Sequence, residues 1–324
     1  MVKSMDTTIR KPLIDETDAL LHIWKTVFDD GGESTFFDYY YDPELCLVSS
    51  VGDVPVAAGY LIPTGNLIHN EISFPCAMIY GVATLPEFRN LGFAAAIVRK
   101  LTCDGFEAGF PVIALCPSGD SMFEFYSSHT EFRDWFYIQE HRYCTASESP
   151  PVSQLVEMPP GDYGRLRETF LSDIPHIEPD IRALSYQKSL CGEFGGGLFQ
   201  IDTSGGISCA TIERQNDGAV WVKELLTPGG VTSDILQTIA SGFPAEEYIV
   251  RTPSRFCNSQ FIICNSKMCG SPQTDQKNNI LFNHFDGKDV ECKIQRFGML
   301  ASTVNLPGKL SSNSAHPWFG FAFD

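Results

Sequence analysis

One segment limits the folds open to this chain more than any other. It reads Tyr80-Gly81-Val82-Ala83-Thr84-Leu85-Pro86-Glu87-Phe88-Arg89-Asn90-Leu91-Gly92-Phe93-Ala94. Ala77 to Thr84 is an apolar run of strand length, and Leu91 to Cys103 carries the spacing of a helix. Ala94, Ala95 and Ala96 favour that helix, and Phe93, Ile97 and Leu101 fall on one stripe of it. A strand therefore runs into a tight loop, and the helix begins inside the loop. A helix start offers unpaired backbone N–H groups and the positive end of the helix dipole. Gly92 and the small Ala94 let the backbone approach a bulky anion, and Arg89 adds a positive charge. A pyrophosphate is the natural guest.

The elements on either side fit an α/β chain with a mixed, partly parallel sheet. Asp15 to Phe28 reads as a helix with Leu20, Trp24, Val27 and Phe28 on one face. Leu45 to Ser49 and Val56 to Ile62 read as a hairpin around Gly52-Asp53. After the loop come a short strand at Pro111 to Cys116 and a helix at Ser118 to Ser128, with Ser118 or Asp120 available as its cap. A strand at Trp135 to Tyr143 follows. Strand, helix, strand in that order implies a right-handed crossover between parallel strands.

A similar rhythm restarts after the linker-like Ser147-Glu148-Ser149-Pro150-Pro151. Helices are expected at Gly161 to Phe170 and Pro179 to Cys191. A hairpin is expected around Thr203 to Gly206, then a strand at Val220 to Leu226, a helix at Ser233 to Gly242 and a strand at Glu247 to Arg251. Pro253 to Lys288 is irregular, and Lys293 to Ala301 reads as a last strand. The 324 residues suit two domains at roughly 100–200 residues each, divided as 1–148 and 149–324.

Composition mainly excludes. No apolar run reaches the roughly 18 residues that a membrane helix needs, and the polar start, Met1 to Thr8, lacks a secretory core. A cytoplasmic location is the expectation. The formal net charge of −17 disfavours nucleic acid and anionic membranes and would attract a cationic small molecule or a basic peptide. The eleven cysteines form no Cys-x-x-Cys pair, and Cys264 and Cys269 lack neighbours at zinc spacing. Reduced, buried thiols and no metal are expected. No Gly-x-Gly-x-x-Gly follows a strand, which argues against a dinucleotide fold.

The Arg89-x-x-Gly92-x-Ala94 loop at a strand–helix junction resembles the hallmark of the GNAT superfamily of N-acetyltransferases. The upstream hairpin, the strand ending Leu115-Cys116-Pro117-Ser118 and the helix with Phe123-Glu124-Phe125-Tyr126 are similar to that family as well. Within it the chain looks most like the Eis-like type, which joins two acetyltransferase folds. The detailed match covers Asp6 to Tyr143, and beyond Pro151 it rests on topology. The loop Thr227 to Thr232 contains no arginine, so the second unit is expected to be degenerate and to complete an acceptor pocket. Little chain remains for the further sterol-carrier-like domain of Eis-like proteins.

The resemblance implies acetyl-CoA as cosubstrate and an amine acceptor, either a small cationic amine or a lysine side chain in a peptide. It implies that Val82, Ala83 and Thr84 meet the pantetheine arm through backbone groups. Arg89, Asn90, Leu91, Gly92, Phe93 and Ala94 would wrap the pyrophosphate. Tyr126 would protonate the departing thiolate.

The base is left open, because Ala77 to Gly81 holds no carboxylate where many GNAT enzymes place a Glu. Water, Glu124, Asp120, His129 or the terminal carboxylate of Asp324 are the alternatives. The last seven residues, Trp318 to Asp324, hold four aromatics. They are expected to be buried, against the second unit or into the active site. An acyl-CoA-binding sensor or scaffold without turnover is the competing function, and the sequence leaves room for a homo-oligomer.

Overall fold

The computed structural model describes residues 7–28, 31–145, 153–253, 282–284, 294–306, 316–320 and 323. Strand β1 (Thr7–Arg10) opens the chain, followed by helices α1 (Thr17–Val27) and α2 (Glu33–Tyr39). Helix α1 buries Leu20, Ile23 and Trp24 at helical spacing. Strands β2 (Cys46–Val51), β3 (Val54–His69) and β4 (Ile72–Thr84) form an antiparallel meander. Helix α3 (Phe93–Glu107) crosses to β5 (Val112–Leu115), which pairs parallel to β4. Helix α4 (Asp120–His129) then leads to the long β6 (Arg133–Thr145). Gly119, not Ser118 or Asp120, stands at the α4 cap, and no side chain caps it.

The second half follows the same plan. It runs β7 (Gln154–Glu157), α5 (Pro160–Leu171), β8 (His176–Pro179), α6 (Ile181–Glu193), β9 (Gly197–Thr203), β10 (Gly206–Arg214) and β11 (Val220–Leu226). Helix α7 (Ser233–Gly242) then crosses to β12 (Glu247–Thr252), which is parallel to β11. The short β13 (Phe282–His284) pairs with β6, and β14 is Ile294–Ser302.

The described strands join in one mixed sheet. Its main path runs β1-β2-β3-β4-β5-β14-β6-β12-β11-β10-β9-β7. Two features of this order matter for function. Strand β14, from late in the chain, lies between β5 and β6 and is antiparallel to both. Strand β6 spans the joint, pairing with β14 over Arg133 to Gln139 and with β12 over Gln139 to Cys144. The two halves are therefore held together by backbone hydrogen bonds, at β6 and again where β8 pairs with β3 from Gly65 to Ile68, and a cavity at this joint has defined walls.

A buried aromatic cluster supports the joint from the α1 side. Trp24 stacks on Phe36 at 4.7 Å between ring centroids, and Tyr60 and Tyr80 lie 5.8 Å from Trp24. From the second half, Arg167 and Glu224 form a fully buried ion pair at 2.9 Å. Tyr163 donates to Glu224 as well. Burial by itself works to lower the Arg167 pKa, and the carboxylates of Glu224 and Glu168 outweigh it and raise it.

Trp318 is completely buried and donates its indole N–H to Glu224 at 2.7 Å. Its backbone bonds to Pro175 and Ile177. The expectation of a buried aromatic tail is thus met at Trp318, Phe319 and Phe323. Of the thiols, Cys46, Cys76, Cys191 and Cys209 are buried and free, Cys116 is half-buried and Cys103 is exposed. Cys264 and Cys269 lie outside the described residues.

Candidate active site

Strand β4 carries the site. It pairs with β5 only at Cys76, Ala77 and Met78, and beyond Met78 the two parallel strands part. A bulge lies just beyond the parting. Tyr60 faces Tyr80 and Ala58 faces Ala83, so Gly81 and Val82 together oppose Gly59. Gly81 has φ +57, and a Cβ there would lie 2.6 Å from Trp24 Cζ3. Only glycine meets both demands. The bulge breaks the ladder and widens the gap from β5 into a cleft of about 610 Å³.

One flank of the cleft is Met78 to Val82, and the other runs from Leu115 to Asp120 with Met122, Phe123 and Tyr126 of α4. Its far wall comes from the joint: Ile138 and Glu140 of β6, Trp221 of β11, Arg251 of β12 and Phe297 of β14. Val82 lines the cleft, whereas Ala83 is buried. At the end of β4, a short 3₁₀ turn at Pro86–Phe88 leads into the loop. Arg89 is in the loop with its Nε 3.3 Å from the Thr84 carbonyl oxygen, to which it donates. Asn90 has φ +63 and Gly92 φ +86, so the chain coils tightly before α3.

Gly92 occupies the N-cap of α3, and no side chain caps that end. A Cβ at Gly92 would meet nothing within 4 Å. The N–H groups of the first turn therefore open onto space, as an anion site requires. Leu91 is exposed, and Phe93 is buried against the core beneath α3.

Tyr126 is buried at 7% exposure and borders the cleft. Burial, with the Cys116 thiol as a lesser cause, pushes its phenol up to about 12. Its hydroxyl makes no hydrogen bond among the described residues. Of the carboxylates weighed from sequence as a base, Asp120 borders the cleft but is exposed and bonds to Arg296 at 2.6 Å. Glu124 and His129 are not among the cleft's lining residues, and His129 stacks on Phe125. Asp324 lies outside the described residues, while Phe323, its neighbour, borders the cleft.

Glu140 was not anticipated. It stands in the far wall, half-shielded, with Arg251 Nε at 3.1 Å. Within the polar run Gln139-Glu140-His141-Arg142 nothing local singles it out, whereas Gly81 within a strand pattern was a signal for the bulge.

The corresponding place in the second half differs. Strand β11 also has a bulge, with Lys223 as the extra residue between the Ile212–Val222 and Thr211–Glu224 pairs. There the side chain of Lys223 pairs with Glu213 at 3.0 Å. Helix α7 is capped by its own Thr232, whose hydroxyl accepts from the Ile235 N–H, and Asp234 stands in its first turn. Both features oppose a pyrophosphate there.

The sequence model of the acetyltransferase (GNAT) domain matches residues 8–129. Residues 8–129 are a GNAT acetyltransferase domain. The bulged β4, the parted β5 and the uncapped α3 all belong to this GNAT domain. No curated protein matches the sequence. Solved structures extend the likeness of fold across the chain. A probable N-acyltransferase of Enterococcus faecalis superposes with TM-score 0.58 at 12% identity, over 91% of this chain and 72% of its own. A GCN5-related N-acetyltransferase of Kribbella flavida gives 0.56 at 13%, over 91% and 71%. Eis1 of Mycobacterium abscessus gives 0.54 at 8%, over 92% and 73%. At these identities the likeness is one of fold alone.

Among the described residues, no group of three or more His, Cys, Asp or Glu could hold a metal ion, and no helix is long and apolar enough to cross a membrane.

Proposed function

We propose that the chain is an N-acetyltransferase that moves the acetyl group of acetyl-CoA to a primary amine in the cleft between β4 and β5. In this reading residues 1–148 form the coenzyme-binding unit and 149–324 a degenerate second unit that completes the acceptor pocket, lending β14 to the first. The observation that carries it is the pairing of a bulged, parted β4 with an uncapped α3 in one GNAT domain. The parted edge of β4 from Val82 to Thr84 can hold the amides of a pantetheine arm. The open first turn of α3, with Arg89 beside it, can hold a pyrophosphate.

The chemistry follows from what lines the cleft. Glu140, better shielded than Asp120, takes the proton of the acceptor amine by way of water. The freed amine attacks the thioester carbon, the C–N bond forms, and the C–S bond breaks. Tyr126 faces the departing sulfur with its proton held, so it donates toward the thiolate. Lys223 and Thr232 at the second unit's bulge and helix start support a single coenzyme site per chain. The acidic surface supports a cytoplasmic protein with no nucleic-acid partner. Calorimetry with acetyl-CoA tests the reading. One site per chain is expected, and Arg89→Ala should weaken it. Two sites, or none, would contradict it.

A further inference from the structure

A second chamber of about 260 Å³ opens beside the cleft. Trp24, Tyr80, Trp221 and Phe323 line both spaces, so these four rings frame the passage between them. The inner chamber sits at the bulge of the second unit and has Lys223 and Glu213 in its wall, with Tyr186 and Phe194 among its other lining residues. The outer cleft sits at the bulge of the first unit, where the acetyl group is proposed to lie. An acceptor that places its amine in the cleft has this framed chamber for the rest of its body.

We infer that the acceptor is a primary amine carried on a flat aromatic body, an arylalkylamine rather than a polyamine, with the body in the inner chamber and the amine turned toward the cleft. The inference rests on the transferase reading and narrows it. Size is the first argument. About 150 Å³ is room for a benzene ring, so this partly open chamber of about 260 Å³, with Gln215 and Asn216 beside its rings, has room for one or two fused rings. The second argument is the frame. Four aromatic rings offer offset-stacked or edge contacts to a flat body, and these contacts favour it over a flexible chain. Tyr80 is held in the frame by its hydroxyl, which donates to the Phe323 carbonyl at 3.0 Å.

Charge is the third argument. The formal net charge of −17 would suggest a trap for polycations, but the lining of the two chambers is not such a trap. Among the described lining residues, the acids are Asp120, Glu140 and Glu213. Each faces a cation: Arg296 at 2.6 Å, Arg251 at 3.1 Å and Lys223 at 3.0 Å respectively. The Arg251 guanidinium also lies over Trp221 at 4.6 Å and Phe297 at 5.3 Å. A polyamine would bring two or more charges into a space whose three lining carboxylates each already face a cation, at a desolvation cost with little return. A monoamine brings one, and loses it on deprotonation before attack.

The test measures CoA thiol release by the full chain with acetyl-CoA and two probes, 2-phenylethylamine and spermidine, at low and high salt. The expected result is a kcat/KM for 2-phenylethylamine at least about tenfold above that for spermidine, with little change in salt. Leu190→Trp, which fills the inner chamber from α6, should cut kcat/KM for 2-phenylethylamine at least about tenfold and leave the acetyl-CoA affinity unchanged. Preference for spermidine with a steep salt dependence overturns the inference and leaves the transferase reading standing. Turnover with neither probe, nor with any other amine, overturns both. The wild-type comparison stands even if Leu190→Trp fails to fold.

Discussion

Replacing Tyr126 by Phe separates catalysis from packing, and the structure sets the size of each effect. The ring stays, so its packing in the core beneath α3 is kept. The hydroxyl has no hydrogen-bond partner among the described residues, so its removal strands no buried group. The expected shift in Tm is under about 1 °C. A phenol bonded in the core would instead contribute about 1 kcal/mol, or roughly 1.5 °C in a chain of 324 residues at about 2.1 cal/mol/K per residue.

The rate effect depends on the phenol's pKa, pushed up to about 12 by burial, against about 8.5 for an ordinary thiol. Full transfer of the proton to the thiolate would be uphill by about 5 kcal/mol at 1.36 kcal/mol per unit. Donation in the transition state is therefore partial, and the loss belongs at the lower end of the general-acid range, about 10²-fold in kcat or roughly 2.7 kcal/mol. The raised pKa also fixes the pH profile. The proton is held until well above the usual phenol range, so kcat should not fall between about pH 8 and about pH 10. An unshifted tyrosine would be half-ionised at the upper limit. Thiol release followed across pH, alongside melting curves, checks both. Unchanged kcat in Tyr126→Phe, with Tm lowered by about 1.5 °C or more, would refute the acid role.

The bulge and the tail clamp make further expectations. Gly81→Ala forces a Cβ to within 2.6 Å of Trp24 at a left-handed φ, so β4 must shift beside the reacting atoms. Since about 1 Å of misplacement can cost 10², kcat/KM should fall about a hundredfold, as steady-state thiol release would register. Glu224→Gln removes the charge that Arg167 faces in full burial. Breaking such a pair costs about 3–5 kcal/mol, and because Glu168 still contacts Arg167 at 2.9 Å, the lower figure is expected in denaturant unfolding.

The strands and helices with strong period were legible in the sequence. Helix α3, β4 and β5 fell within a few residues of their expected ends, because an alanine-rich stripe and unbroken apolar runs admit few alternatives. The four-residue β7 and β8 were missed, as was α2, since a single turn or two carries too little periodicity to register. The place of β14 between β5 and β6 was not legible at all. A strand's own residues say that it pairs, but its partners here lie roughly 155 to 190 residues earlier in the chain. The tight loop and the uncapped start of α3 were legible because their signal is local: Arg89, Gly92 and Ala94 lie within six residues of chain. Glu140, Trp221, Arg251 and Phe297 were not, because they converge only when β6 joins the two halves. The net charge carries no such local information. It sums the surface, whereas the acids of the chambers are paired one by one with cations from other strands.

The central claim is that the cleft between β4 and β5 turns over acetyl-CoA and does not merely hold it. Thiol release from acetyl-CoA, measured with and without a primary amine and matched to mass analysis of the amine, tests it most directly. The account predicts amine-dependent release in step with formation of the acetylated amine, lost in Gly81→Ala. Saturable acetyl-CoA binding with no acetylated product from any amine would contradict it and leave a coenzyme-binding sensor in its place.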